Sequence, residues 1–521
     1  MTTLEARPPS PVSLVTMPAT ERRSTMSLLY KTGWGTAAGV VAVSGRFLVT
    51  IFSARHLGLE GLGRLAYLLW IIELTATVTG FGMQSCVTRY LADLRGQGRD
   101  DAAASLATWL YRRYLLITVL GATVLVVVAV STQHRGLETA VWTNVGVCLV
   151  LQAMGTFYLA YLAGEQRFDR LTRVNLVSAG CLVLGVAVGM KFWGLAGTIA
   201  GYAAGSVIPA VLSSGLLRSG SVKHELDSRL KSSCIRYACF AWWAAVVSAC
   251  VWSRIEVVFL ERYWGAQEVA MFSVGLTLSA LAVQGPMLLG GALMPHFAES
   301  MNSLNMGEHR QVYSRTIRLL AALLFPLCLG LASVMPVALP MVYGGTFRSA
   351  VPISMVLAAF SVLSLMSVSS ALVYASGKAW FIAVSGCAGA VLSIAGCALV
   401  IPVWGAWGAA LSRSAVQTVV ALLGTWYISK HLGCPAPVRS LACILFSSAL
   451  AALCSYTIII RMHGFGALAI ALPAECAVYL MMLRLTSALH REDIASLRNA
   501  LARVPVGISW PFSGLLGWFA S

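Results

Sequence analysis

Charge is what this 521-residue chain has least of. Asp, Glu, Lys and Arg make up 11% of it, against roughly 25% in an ordinary soluble domain. With 58% hydrophobic residues and a mean hydropathy of +0.78, a water-soluble fold could not cover its own surface. Long polar stretches are missing as well. No soluble catalytic domain is inserted, and the net charge of +17 has no basic soluble face on which nucleic acid could bind. HExxH, P-loop, GxSxG and DxD elements are absent and the eight histidines are isolated at loops and span ends, so the chain is not expected to hydrolyse ATP or to act as an enzyme. CxxC pairs are also lacking. The thirteen cysteines, an odd number, lie mainly in apolar runs and read as small packing residues; no disulfide, metal site or cofactor is expected. The period-two alternation of a transmembrane barrel is missing too, which leaves an all-α fold.

What the sequence does have is one apolar run after another. A spanning helix needs roughly 20 mostly apolar residues. At that length the spans fall near 33–54, 63–84, 108–130, 139–163, 172–190, 193–217, 234–260, 268–296, 315–335, 350–376, 379–402, 404–429, 439–460 and 464–486. The reading is a polytopic membrane protein of about fourteen helices. Residues 1–32, with Pro8, Pro9, Pro11 and Pro18, read as a disordered tail and not as a cleaved signal. Beyond the last span, Ile494, Leu497, Leu501 and Val504 share a helical face, so 487–521 reads as an amphipathic tail at the membrane surface.

Orientation follows from the basic residues. With the N-terminal tail inside, the tail and the even-numbered connections hold 27 of the 37 Lys and Arg residues, and the odd-numbered ones hold seven. Both termini are therefore expected in the cytoplasm, in a bacterial inner membrane. The remaining three, Arg46, Arg254 and Arg413, fall inside spans.

An internal repeat is legible. Phe52-Ser-Ala-Arg55-His-Leu-Gly58 at the end of span one matches Phe259-Leu-Glu-Arg262-Tyr-Trp-Gly265 at the end of span seven, at an offset of 207. Trp193-Gly-Leu-Ala-Gly opening span six matches Trp404-Gly-Ala-Trp-Gly opening span twelve, at an offset of 211. The organisation expected is a six-helix lobe over 33–217, a linker over 218–233, a second lobe over 234–429 and an extra helix pair over 439–486. Parallel repeats of this kind belong to transporters that rock two lobes about a shared site.

The runs Ala54-Arg-His-Leu-Gly58-Leu-Glu-Gly61 and Gly80-Phe-Gly82-Met-Gln-Ser-Cys-Val-Thr-Arg89-Tyr-Leu resemble the N-terminal signature of the polysaccharide (Wzx-type) flippases of the multidrug/oligosaccharidyl-lipid/polysaccharide exporter superfamily. Pro295 ending span eight, Ala375-Ser-Gly377-Lys378 after span ten, and Trp404-Gly-Ala-Trp-Gly408 are similar to its second half. The resemblance implies export of an undecaprenyl-pyrophosphate-linked oligosaccharide repeat unit from the cytoplasmic to the periplasmic leaflet. Membrane lipids would be its surroundings, and a polysaccharide polymerase with its chain-length machinery would act next.

A charged side chain at membrane depth costs roughly 2.5–3.5 kcal/mol on insertion scales, so it is kept where a cavity or partner compensates. Arg46 in span one and Arg254 in span seven are repeat equivalents to within one position. Together with Arg413 in span twelve they are candidates for gripping a pyrophosphate, which suits the planar guanidinium fork. The alternative for Arg46 and Arg254 is that they pair with Glu73 of span two or Glu256 of span seven, or cap helix carbonyls. Those two acids are themselves candidates for ion coupling, whereas Glu475 in span fourteen suggests a structural or lipid-groove role. Trp242 and Trp252 are close to one helical face and could stack on sugar rings, although membrane tryptophans are more often packing or belt residues. Two other functions compete with the flippase reading. One is a different exporter of the superfamily, either a lipid II flippase or a multidrug antiporter; the other is a membrane polysaccharide polymerase or ligase, which would be expected to carry a sizeable outer loop.

Overall fold

The computed structural model describes residues 19–132, 138–219, 226–303, 306–376, 378–462, 464–488 and 493. Among them every regular element is helical. In chain order these are α1 (Ala19–Gly80), α2 (Met83–Gly96), α3 (Asp100–Ser131), α4 (Thr139–Gly164), α5 (Phe168–Ser219), α6 (Ser228–Trp252), α7 (Glu256–Tyr263), α8 (Ala266–Ser303), α9 (Met306–Tyr343), α10 (Val351–Phe360), α11 (Met366–Ala375), α12 (Ala379–His431), α13 (Val438–Met462) and α14 (Phe465–Leu485), with short 3₁₀ turns before and after α10. Ten described segments are long and apolar enough to cross a bilayer. Three of these, in α1, α5 and α12, are double-length rods broken in the middle. Span seven is split between α6 and α7. Dividing the three rods and adding the split span recovers the fourteen crossings.

The breaks carry the repeat. Gly58 and Gly265, 207 positions apart, both have positive φ, at 68° and 83°. Gly194 (φ 53°, ψ −127°) and Gly405 (φ 53°, ψ −134°), 211 positions apart, turn the chain in the same way. Only glycine enters this region without strain, which is why the two sequence matches are centred on glycines. At Gly405 the freed backbone groups are satisfied from α7–α8. Trp264 Nε1 donates to Ile401 O (2.8 Å), and Ala406 N donates to Glu268 Oε2 (2.8 Å). This follows the requirement that no backbone polar group stays unpaired in lipid.

The cores are distributed unevenly between the two faces of the bundle. Near the odd-numbered connections a single core joins both lobes, with Leu65, Leu68, Ile72, Trp142 and Ile199 of the first packed with Leu260, Phe272, Leu339, Phe347 and Ile401 of the second. Near the even-numbered connections there are two separate cores. One is built on Cys86, Leu106, Tyr111 and Phe157, the other on Tyr313, Leu324, Ile444 and Leu483. The lobes are thus closed against each other on the odd side and part company toward the even side. Two contacts seal the odd side. Arg55 of α1 donates to Met341 O (2.6 Å) and Val342 O (2.9 Å) at the end of α9, and Gly63 runs so close to Ala266 that any side chain there would collide with its carbonyl.

Three boundaries differ from the sequence reading. The first helix starts at Ala19, inside the segment expected to be a disordered tail, because after Pro18 no proline interrupts a run that continues into the span. Pro295 lies within α8, which runs on to Ser303, and so does not end that helix. Residues 226–238, which take in part of the linker expected over 218–233 and the first residues of the lobe expected from 234, pack with the first lobe. Leu226, Leu230, Cys234, Tyr237 and Ala238 join the first-lobe core, Trp242 Nε1 donates to Val78 O (2.9 Å), and further along α6 Val247 and Val251 lie against Gly386 and Gly389 of α12 in the second lobe. Of the amphipathic tail expected over 487–521, all but residues 487, 488 and 493 lies outside the described residues.

The extra pair α13–α14 is fastened to α9 by polar contacts, one of which satisfies a carbonyl freed by a proline of α9. Tyr479 Oη donates to Ala322 O (2.6 Å), the carbonyl that Pro326 leaves free four residues on. One turn earlier on α14, Glu475 rests on bare backbone at Gly330, where no side chain would fit, with Ser333 and Ser455 beside it and joined to each other at 3.0 Å. At the even side Asp493, fully buried, receives Arg318 through Nε (2.9 Å) and Nη2 (3.0 Å).

Candidate functional site

Span seven is interrupted at Ser253-Arg254-Ile255. Helix α6 ends with Ser253 extended (φ −79°, ψ −170°), and α7 starts at Glu256. Non-helical backbone at membrane depth is tolerated only where it is buried in protein or lines a cavity. Here it presents an arginine. Arg254 lies within electrostatic reach of Glu73 on the second half of α1, Arg413 on the second half of α12, Tyr202 on α5 and Arg46 on the first half of α1. Tyr202 is in turn within reach of both Arg46 and Arg254, and Tyr343 at the end of α9 is within reach of Arg254. Spans one, two, six, seven, nine and twelve therefore converge on one place between the lobes. It lies beneath the core that closes the odd side.

The intramembrane charges do not play equal parts there. Arg413 is held in place: its Nη1 donates to Glu256 Oε1 (3.0 Å) and to Ser253 O (3.0 Å). The side chains of Arg413 and Glu256 are 12% and 1% exposed. Arg413 and Glu256, expected as a phosphate ligand and an ion-coupling acid, are committed to each other and to the break in span seven. The reason is positional. The break leaves the Ser253 carbonyl without its helical donor, and α12 passes close enough for a guanidinium to satisfy it and the carboxylate together. Arg46 is exposed, Arg254 half-buried and Glu73 exposed, and none of the three has a salt bridge among the described residues. These two arginines are the accessible cations of the site.

Trp242, expected as a sugar contact, is fixed by its bond to Val78 O and stacked on Phe81 with ring centroids 4.8 Å apart and planes at 8°. The Trp252 side chain lies outside the described residues. Sequence reasoning missed Tyr202 and Tyr343, phenols in apolar runs that carry no local signal. It also placed Arg55 in the repeat match and assigned it no contact between the lobes. Among the described residues no cluster of His, Cys, Asp and Glu could hold a metal ion.

The fold is similar to that of several solved structures that are distant in sequence. The lipid II flippase MurJ in an inward closed conformation matches with a TM-score of 0.62 at 13% identity, over 87% of this chain and 98% of that one. An inward-facing multidrug resistance MATE family transporter of the MOP superfamily matches with a TM-score of 0.60 at 13% identity, over 76% and 98%. A MATE in complex with MaD3S matches with a TM-score of 0.54 at 12% identity, over 78% and 95%. No curated protein matches the chain in sequence. Residues 52–352 match the family described as polysaccharide biosynthesis protein. That is more than half of the chain and takes in spans two to nine, the broken span seven and Arg254. This multi-pass, two-lobed membrane protein with a transporter fold belongs to the polysaccharide biosynthesis protein family.

Proposed function

We propose that the protein is a flippase that carries a polyprenyl-pyrophosphate-linked oligosaccharide repeat unit from the cytoplasmic to the periplasmic leaflet for polysaccharide assembly. The observation that carries this reading is the pairing of Arg46 and Arg254 between the lobes, accessible and without salt-bridge partners, beneath a closed odd side. Two cations at membrane depth with one carboxylate, Glu73, in electrostatic reach of Arg254 keep an excess of positive charge that is costly. It is retained in a chain whose cargo brings the balancing negative charge, and a pyrophosphate does so with oxygens that match the guanidinium fork.

The even-numbered connections carry most of the Lys and Arg residues, which orients them to the cytoplasm. The separated cores then open the cavity toward the leaflet where the lipid-linked unit is made. Rocking the lobes opens the odd side once the contacts at Arg55 and Gly63 separate. A cytoplasm-negative potential drives an anionic headgroup outward by about 2.3 kcal/mol per charge per 100 mV, so the arginines need only bind firmly enough to replace its hydration.

A second reading keeps the mechanism and changes the cargo. The likeness to the lipid II flippase extends over 87% of the chain, which favours a peptidoglycan precursor over a drug cation. Deletion of the gene distinguishes the readings. Loss of surface or secreted polysaccharide, with the lipid-linked unit accumulating in the cytoplasmic leaflet, is the expected result. Loss of wall synthesis would give the cargo to the second reading. Repeat units that reach the outer leaflet and fail to polymerise would make the protein a polymerase.

A further inference from the structure

We infer that the Arg413 guanidinium occupies a monovalent-cation site built by the break in span seven, so that the protein carries its cation as part of the chain and works without sodium at this position. The ligands are those that a small hard cation would take. Glu256 supplies a carboxylate that is 1% exposed, and Ser253 supplies a backbone carbonyl released where the helix unwinds. Unwound carbonyls and half-helix ends near the midplane are the places where transporters coordinate their coupling ions. Here both oxygens point to one nitrogen, Arg413 Nη1, at 3.0 Å each. The second carboxylate oxygen, Glu256 Oε2, is buried with no hydrogen-bond partner. A cation fitted for that site alone would draw on both oxygens of the carboxylate; the guanidinium arrives from α12 and reaches one.

The tether changes what the site can do. A free ion leaves when the lobes rock, and its gradient drives the cycle. A guanidinium on α12 cannot leave, and arginine does not lose its proton in proteins. The charge at Glu256 therefore stays neutralised throughout the cycle, the break in span seven stays formed, and Arg254 stays presented to the cavity. The site sits in the second lobe, between α7 and α12, beside the cargo cations and separate from them.

The test is cation binding by the purified full-length protein, read by thermal unfolding in NaCl and in choline chloride at equal concentration. Its outcome does not depend on what the cargo is. Wild type should unfold at the same temperature in both salts. Arg413→Ala should unfold at a lower temperature and be stabilised by NaCl over choline chloride with saturating dependence, as mass action requires of an ion that binds the folded state. Adding Glu256→Gln to Arg413→Ala should abolish that response. Selective stabilisation of the wild type by sodium would overturn the inference, and so would a folded Arg413→Ala protein indifferent to sodium. If Arg413→Ala does not fold, Arg413→Gln is read in the same two salts: selective stabilisation by sodium supports the built-in cation, and a folded protein indifferent to sodium contradicts it.

Discussion

Arg413 and Glu256, 157 residues apart, meet through one nitrogen and one oxygen at 3.0 Å, and the same nitrogen holds the Ser253 carbonyl. The pair is buried, so removing one partner leaves an uncompensated charge away from water. Arg413→Ala should destabilise the folded protein by about 3–5 kcal/mol, seen as a lower unfolding temperature and a reduced level in the membrane. Arg413→Ala with Glu256→Gln removes both charges and should recover part of the loss.

Arg55 bridges the lobes through two backbone carbonyls and no side chain. Arg55→Ala should therefore weaken the closed odd side and leave the fold intact. Ala66, 7% exposed in the shared core, reports on this. A cysteine at Ala66 should react slowly with an impermeant maleimide added outside the cell, and markedly faster in the Arg55→Ala background. Equal rates would remove Arg55 from the closure.

Asp493 is 0% exposed and receives a bidentate Arg318. Asp493→Asn keeps the shape and loses the charge, leaving Arg318 uncompensated, and should cost about 3–5 kcal/mol. Protease sensitivity of the C-terminal region and thermal unfolding both read the effect. Unchanged values would show that the pair contributes little to attaching this end of the chain.

Reporter fusions check the orientation. Those after Leu217 and after Arg491 should give cytoplasmic signal, and those near Arg135 and Arg348 periplasmic signal. A periplasmic C-terminus would contradict the even number of crossings.

Much of this architecture is legible in the sequence, because in lipid a spanning helix is set by its own length and composition. The repeat is legible for a similar reason. Gly58, Gly194, Gly265 and Gly405 stand where the backbone must turn with positive φ, so those positions keep glycine and the matches survive around them. The pairings are not legible. Arg254 and Glu256 are two apart and look like neighbours of opposite charge, yet the carboxylate is taken by Arg413 from a distant span, which only packing determines. Arg46 and Arg254 stand out because charge is rare in these runs. Tyr202 and Tyr343 do not, since a phenol costs little in a membrane helix and is used at many places. Trp242 shows the opposite failure, a conspicuous residue whose ring and N–H are both used in packing.

The central claim is that Arg46 and Arg254 together hold the pyrophosphate in transit, and the most direct measurement is the leaflet in which the lipid-linked repeat unit resides in cells carrying Arg46→Ala with Arg254→Ala at normal protein level. The account predicts accumulation on the cytoplasmic side, inaccessible to an impermeant sugar-modifying reagent, with export reduced at least about 100-fold, as loss of two charge-assisted contacts of roughly 1.5–3 kcal/mol each requires. Lysine at both positions should restore export only in part, because it keeps the charge and loses the bidentate fork. Outer-leaflet repeat units at the wild-type level in the double alanine variant would contradict it.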